Sequence, residues 1–244
     1  RHVHVGDAAE AGLQERITVS HGDAGLGPWL FWDAGYHADI AESGYTDADV
    51  AVFKAGGEAR VAFFPGYPLV VRAIAALVGD IGLAEVLSTF LAGLALAVVL
   101  HGWYASRLAP GGARCATLAT FLFPWAFFFV GAGYGDAMFV LCAVGAFALL
   151  EDDRPVAAGV LGAIASGTRF VGVAVILGLA VRAAERRDAF GLDGWRPRLD
   201  RSKLSGSDHG VLLAASGLVA YVVFCWVRYG DPVAFSTAQR GWNQ

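Results

Sequence analysis

Charge is what this chain has least of. Asp, Glu, Lys and Arg make up 16% of its 244 residues, against roughly 25% in an ordinary soluble domain. That shortfall comes with 56% hydrophobic residues and a mean hydropathy of +0.53, which excludes a conventional soluble chain and implies a polytopic membrane protein. No basic tract with interleaved aromatics is present, so nothing suggests nucleic-acid binding. Cysteine is scarce too. Cys115, Cys142 and Cys225 lie within or beside apolar runs, and three cannot pair completely within one chain, so no disulfide framework is expected. Methionine occurs once, at Met138, and the chain opens at Arg1. A fragment or processed product is therefore expected. No signal peptide is read, because the first apolar-rich stretch begins well inside the chain.

What is present is apolar sequence of bilayer-crossing length, about 20 residues for roughly 30 Å of hydrocarbon. Residues 82–104, 113–133, 134–150 and 210–227 qualify. A fifth stretch, 155–181, carries Arg169 near its middle. Residues 68–78 are too short to span and contain Arg72, so they are expected to form a helix lying at the interface. The organisation read from this is a long non-cytoplasmic first loop with interfacial helices over 1–81, then a helical bundle over 82–244 that ends in a non-cytoplasmic tail, 229–244.

Lys and Arg in short loops mark the cytoplasmic side. The 182–203 connection holds seven of them: Arg182, Arg186, Arg187, Arg196, Arg198, Arg201 and Lys203. Arg107 and Arg114 put the 106–112 loop on the same face. The stretch 113–133 then runs outward, and 134–150 returns. A single crossing by 155–181 would leave the most basic loop outside. Two readings resolve this. In one, the stretch breaks near Gly167-Thr168-Arg169 into two half-length helices that dip in and return. In the other, it is one tilted crossing and a further span exists elsewhere. The broken pair is the reading adopted, because irregular backbone at depth is permitted where protein buries it or water reaches it, and Gly159, Gly162, Ala163 and Gly167 allow close packing. The Asp33 loop, the turn 131–136, Arg169 and the tail then share the non-cytoplasmic side.

Residues 1–64 hold ten acidic and four basic residues, with His2, His4, His21 and His37. Asp7, Glu10, Asp23, Asp47 and Asp49 read as a solvated face, and His2-x-His4 near a chain end makes a poor metal site. Asp33 differs, because Trp29, Phe31, Trp32 and Tyr36 surround it. Aromatics of this kind sit at headgroup depth, and partial desolvation raises a carboxylate toward the range of a general base. A helix-capping structural aspartate is the plainer alternative. Asp39, six residues on, falls on another helical face and is not paired with Asp33 as an acid/base dyad. The run GAGYGDAMF at 131–139 lacks the strand that a dinucleotide loop needs. It reads as a tight turn presenting Tyr134 and Asp136, and an acid in a first helical turn also suits the helix dipole. Arg169 is costly inside a membrane. It is expected either to pair with Asp136 or to clamp a lipid phosphate, whose geometry guanidinium matches.

In this order, the motifs resemble the PIG-V family, in its prokaryotic-type relatives of the second GPI mannosyltransferase. These are multi-spanning glycosyltransferases of the GT-C fold. The resemblance rests on Trp32-Asp33 with Gly44-Tyr45, AFFPGYP at 62–68, the turn at 134–139, Thr168-Arg169, and YGDPVAFSTAQRGW at 229–242. Where the family usually has a Tyr-Ser-Glu-Ser-like turn, this chain has Tyr134-Gly135-Asp136-Ala137, with a shorter carboxylate. The resemblance implies an all-α polytopic membrane protein with a GT-C-type bundle, and spans both before Arg1 and after the tail. It also implies transfer of mannose, with inversion, from a polyprenyl- or dolichyl-phosphate-mannose donor to a lipid-linked or protein-linked glycan. Asp33 would be the general base and Arg169 the donor-phosphate ligand, with Trp32, Tyr36, His37, Tyr134 and Asp136 at the substrates. No metal or cofactor is implied beyond the lipid-linked sugar. The expected location is the cell membrane of a prokaryote, with the site on the non-cytoplasmic face. A transporter or lipid flippase also uses broken helices with buried charge, and a non-catalytic subunit of the same fold is a third reading.

Overall fold

The computed structural model describes residues 26–193 and 195–242. His2, His4, His21, Asp7, Glu10 and Asp23 lie outside the described residues. The described chain is mostly helical, and two helices, Ile81–Ala105 and Ser207–Tyr229, are long and apolar enough to cross a membrane by length and composition. This is compatible with a helical membrane protein.

Three helices precede the first of these: α1 (Ala34–Ser43), α2 (Asp47–Lys54) and α3 (Gly66–Val78). They are held to one another by polar locks. Arg72 on α3, in the stretch expected to lie at the interface, donates from Nε to the Ala41 carbonyl at 2.5 Å. It thereby satisfies one of the carbonyls that a helix C-terminus leaves open. Arg60 forks onto Asp49, with Nε to Oδ1 at 2.6 Å and Nη2 to Oδ2 at 2.7 Å. Asp49 also accepts from the Thr46 backbone and hydroxyl at the start of α2. Asp49 is thus a buried, fully engaged residue and not part of a solvated face. Asp47, beside it, is exposed and pairs with Arg228.

The bundle follows: α4 (Ile81–Ala105), α5 (Pro110–Leu122), α6 (Asp136–Glu151), α7 (Pro155–Thr168), α8 (Gly172–Arg186), then a 3-10 stretch Ser207–Ala215 running into α9 (Ser216–Tyr229), and a short α10 (Ala234–Thr237). The span expected at 113–133 is not one helix. Phe123 adopts an extended backbone with ψ 137°, as the residue before a proline does, and the chain continues from Pro124 to Phe129 as 3-10 helix.

The chain also leaves the helix at Arg169, whose φ −154° and ψ 148° are extended. The break divides the stretch into two helices, as expected. With 14 and 15 residues at about 1.5 Å each, α7 and α8 are nearly as long as the 16-residue α6. Their ends coincide with those of α6: Arg169 pairs with Asp136, and Arg186 donates to the Leu150 carbonyl. Helices α6, α7 and α8 therefore run antiparallel, side by side, with their ends level.

Backbone proximity holds this part together. A Cβ on Gly159 would lie 2.0 Å from the Gly210 carbonyl oxygen, and one on Gly217 would lie 2.0 Å from that of Ala163. Small residues at such crossings let helices touch along their backbones. Ser166 adds a bond across the same seam, to the Ala214 carbonyl at 2.6 Å.

Charge sorts the bundle into two ends. At one, Arg107 and Arg182 meet Glu151, and Arg187 meets Asp153 and Asp208. We call this the basic end. At the other, the turns 130–135 and 169–171 meet α1 and α10. One feature departs from an all-α fold. Within the basic loop, β1 (Phe190–Asp193) and β2 (Arg196–Leu199) form an antiparallel hairpin.

Candidate active site

A cavity of about 450 Å³ opens at the end opposite the basic loops. It is lined from four distant segments: Asp33 and His37 at the start of α1, Phe63 and Phe64 before α3, Tyr134 to Asp136 before and in α6, and Thr168 to Val171 at the α7–α8 break, with Phe235, Ser236 and Gln239 of the tail closing it.

The segments meet because small or constrained residues let them. Gly66 lies so close to the α7 terminus that a Cβ there would sit 2.7 Å from the Gly167 carbonyl oxygen. The glycine of AFFPGYP thus brings that loop against the Arg169 break. Two tyrosine hydroxyls converge on the Phe63 carbonyl, Tyr45 at 2.6 Å and Tyr221 at 3.1 Å, and Tyr221 also donates to Val61 at 2.8 Å. The cavity wall is in this way pinned to α9.

Asp33 precedes the first residue of α1, yet its side chain makes no capping hydrogen bond. Among the described residues, its carboxylate has no hydrogen bond or ion pair. What positions it is the backbone. Tyr134 Oη accepts the Asp33 N–H at 3.2 Å and donates to the Phe31 carbonyl at 3.1 Å. The Tyr134 carbonyl in turn accepts from Thr89 on α4 at 3.1 Å. Tyr134 therefore clamps the turn 31–33, and its hydroxyl is pushed up to about 12, chiefly by burial. Within that turn, Trp32 takes a left-handed φ of 50°, uncommon for a residue with a Cβ.

Electrostatics separates the lining groups. Asp33 is reachable by solvent, yet the surrounding protein raises its carboxyl above the ordinary range. Arg169 opposes this rise and Asp136 adds to it. His37 is buried, edge-on to Phe63, Tyr67 and Tyr134, and its Nδ1 has no hydrogen-bond partner among the described residues. Burial, helped by the Arg169 charge, lowers its pKa to about 3, so it is a neutral imidazole at any physiological pH. Arg169 and Asp136 form an ion pair with 44% and 32% of their side chains exposed. A half-exposed pair of this kind holds little energy, typically about 0–1 kcal/mol, and a guanidinium with five donors has capacity for a second anion.

Of the residues the sequence nominated, the cavity gathers Asp33, His37, Tyr134, Asp136 and Arg169. Trp32 and Tyr36 do not line it. Trp32 is 70% exposed. Tyr36 stacks on Phe63 with ring centroids 4.7 Å apart, and its hydroxyl donates to Glu58 at 3.1 Å. Phe235, Ser236 and Gln239 were not nominated. Their signal was the tail run AFSTAQ, whose 235, 236 and 239 spacing puts three side chains on one helical face. Glu85 also went unremarked. It is fully buried in α4, with its carboxylate 3.3 Å from where a Gly133 Cβ would be, behind the cavity turn.

No family model matches the chain, and no solved structure matches it. Among curated proteins, it is similar to GPI alpha-1,6-mannosyltransferase 2 of Rattus norvegicus, 35% identical over 162 residues, which is 62% of this chain and 31% of that protein. The protein of the same name in Mus musculus is 35% identical over 159 residues, 61% of this chain and 30% of its own length. The matched part of the chain thus spans about a third of these relatives' length.

Proposed function

We propose that this cavity is the reaction site of a membrane mannosyltransferase that moves mannose from a polyprenyl-phosphate-mannose donor to a hydroxyl of a glycan or glycolipid acceptor. The carrying observation is Asp33, a carboxylate without a partner among the described residues, in one cavity with the Arg169 guanidinium. The likeness to proteins named as mannosyltransferases supports the choice of sugar transfer over solute transport. The bilayer on the bundle's flanks would take up the donor's lipid chain.

In the proposed reaction, Asp33 accepts the proton of the acceptor hydroxyl as that oxygen attacks the anomeric carbon from the face opposite the lipid phosphate. The bond from the anomeric carbon to the phosphate oxygen breaks, and its electron pair leaves on the phosphate. Arg169 balances that charge, and the new glycosidic bond has inverted configuration. A carboxyl raised above its ordinary range is the better base for this step, and a fixed cation beside the departing phosphate acts most strongly where water is excluded. His37 stays neutral and adds no competing charge. The gathering of basic loops at the far end supports a cytoplasmic assignment for that end, which would place the cavity on the opposite face.

The test is mannosyl transfer from polyprenyl-phosphate-mannose in membranes holding the full-length protein. Asp33→Asn is expected to lose about 10²–10⁴-fold in rate, the usual contribution of a positioned base. Normal transfer by a well-folded Asp33→Asn protein would overturn the assignment.

A further inference from the structure

The hairpin in the basic loop is unlike any other part of the chain. Its register pairs Phe190 with Leu199, Leu192 with Pro197, Gly191 with Arg198, and Asp193 with Arg196. Cross-strand partners share a face, so Phe190 and Leu199 lie on one face of the hairpin, and Arg196 and Arg198 on the other. Trp195, in the turn, is fully exposed, and Leu199 is 48% exposed. Arg196, Arg198 and Arg201 are exposed and have no ion pair among the described residues.

A lone two-stranded hairpin is at best marginal in water. This one is anchored only at its base. The Asp200 N–H donates to the Ala189 carbonyl at 2.8 Å, Lys203 Nζ donates to the Asp188 carbonyl at 2.8 Å, and Arg187 grips Asp208. Its height is fixed by what flanks it. On α8, exposed apolar surface ends at Val181, just before Arg182. In the following helix it resumes at Leu212, after Asp208 and His209. The hairpin therefore emerges where a lipid-compatible surface gives way to charge.

We propose that the hairpin lies in the headgroup layer of the bilayer that surrounds the bundle, with its apolar face toward the acyl chains and Trp195 as the interfacial anchor. Arg196, Arg198 and Arg201 engage phosphates of anionic lipids. A tryptophan at the boundary and unpaired arginines beside it are what such a layer selects. Each arginine near an anionic surface contributes about a fivefold bias toward it.

The experiment uses the full chain with Cys115→Ser and Trp195→Cys, labelled at position 195 with an environment-sensitive fluorophore. It is placed in nanodiscs of pure phosphatidylcholine, in nanodiscs with phosphatidylserine, or in neutral detergent. The expected result is blue-shifted emission and slowed iodide quenching in nanodiscs, strengthened by phosphatidylserine. Arg196→Gln and Arg198→Gln are each expected to raise the phosphatidylserine needed for half-maximal protection about fivefold. Mannosyl transfer by these two variants is expected to be unchanged, so a failed hairpin prediction and a failed catalytic assignment can be told apart. Iodide access equal in nanodiscs and detergent would overturn the proposal. So would protection that appears in native membranes but not in pure lipid, which would assign the face to a protein partner.

Discussion

The two ends of the bundle handle charge in opposite ways. At the basic end, the charges between helices are mutually engaged. Arg187 holds both Asp153 and Asp208, Glu151 takes both Arg107 and Arg182, and Arg186 caps the Leu150 carbonyl. Lining the cavity, among the described residues, Asp33 has no carboxylate partner, His37 Nδ1 has no hydrogen bond, and the Arg169–Asp136 pair is half-exposed. A polar group left unsatisfied in a folded interior is costly. Asp33 and His37 thus line a volume large enough for a ligand.

The contrast can be broken by perturbing each end and reading stability and activity separately. The largest stability effect is expected from pH at His37. The unfolded chain binds a proton near 6.5, while the folded ring resists until about 3. Stability linked to His37 is therefore intact above pH 6.5 and lost as pH falls from there toward 3. The loss is on the order of 5 kcal/mol at the acid limit. His37→Phe should flatten that part of the melting-temperature profile, and an unchanged slope would show that the ring is not buried neutral. Next, Gly159→Ala puts a Cβ against the Gly210 carbonyl and should destabilise by about 1–3 kcal/mol, with transfer per folded molecule unchanged. A loss of turnover without a loss of melting temperature would contradict the division. Tyr134→Phe removes the bridge between Phe31 and Asp33. It should lower kcat about fivefold, the equivalent of about 1 kcal/mol for one hydrogen bond, while KM changes little. The smallest effect is on the melting temperature of Asp33→Asn, which should stay level or rise, since an unpartnered carboxylate contributes nothing to folding. A marked fall would mean that Asp33 has a structural partner.

Much of the bundle could be read from hydropathy and loop charge, because both report directly on burial and on which loops lie together. The interruption at Arg169 was readable from a charge beside small residues within an apolar run. The interruption at Phe123-Pro124 was just as visible in the sequence but was overridden by an unbroken apolar run. The hairpin carried an Asp-Gly signal at 193–194 between short strand-like runs, masked by the density of arginine around it. At the site, charged residues were legible because their presence in an apolar chain is itself unusual. Trp32 and Tyr36 do not line the cavity, and an aromatic next to a carboxylate gives no sign in sequence of which way its ring turns. Asp49 was misread as solvated because its partner, Arg60, is 11 residues away. Glu85 escaped because one acid in a long apolar helix barely lowers its hydropathy.

The tyrosine lock between Tyr221 and Val61 joins residues 160 positions apart in the chain. During synthesis at about 5–20 residues per second, the first segment must wait roughly 8–30 s for its counterpart to emerge. Throughout that interval Phe64 lacks Tyr221 and Phe235, the rings it packs against, and one wall of the cavity is missing. The cavity therefore takes shape only once α9 and the segment 234–239 have emerged. Removal of Tyr221 and of residues 234–239 would take away one wall of the cavity without touching Asp33 or Asp136.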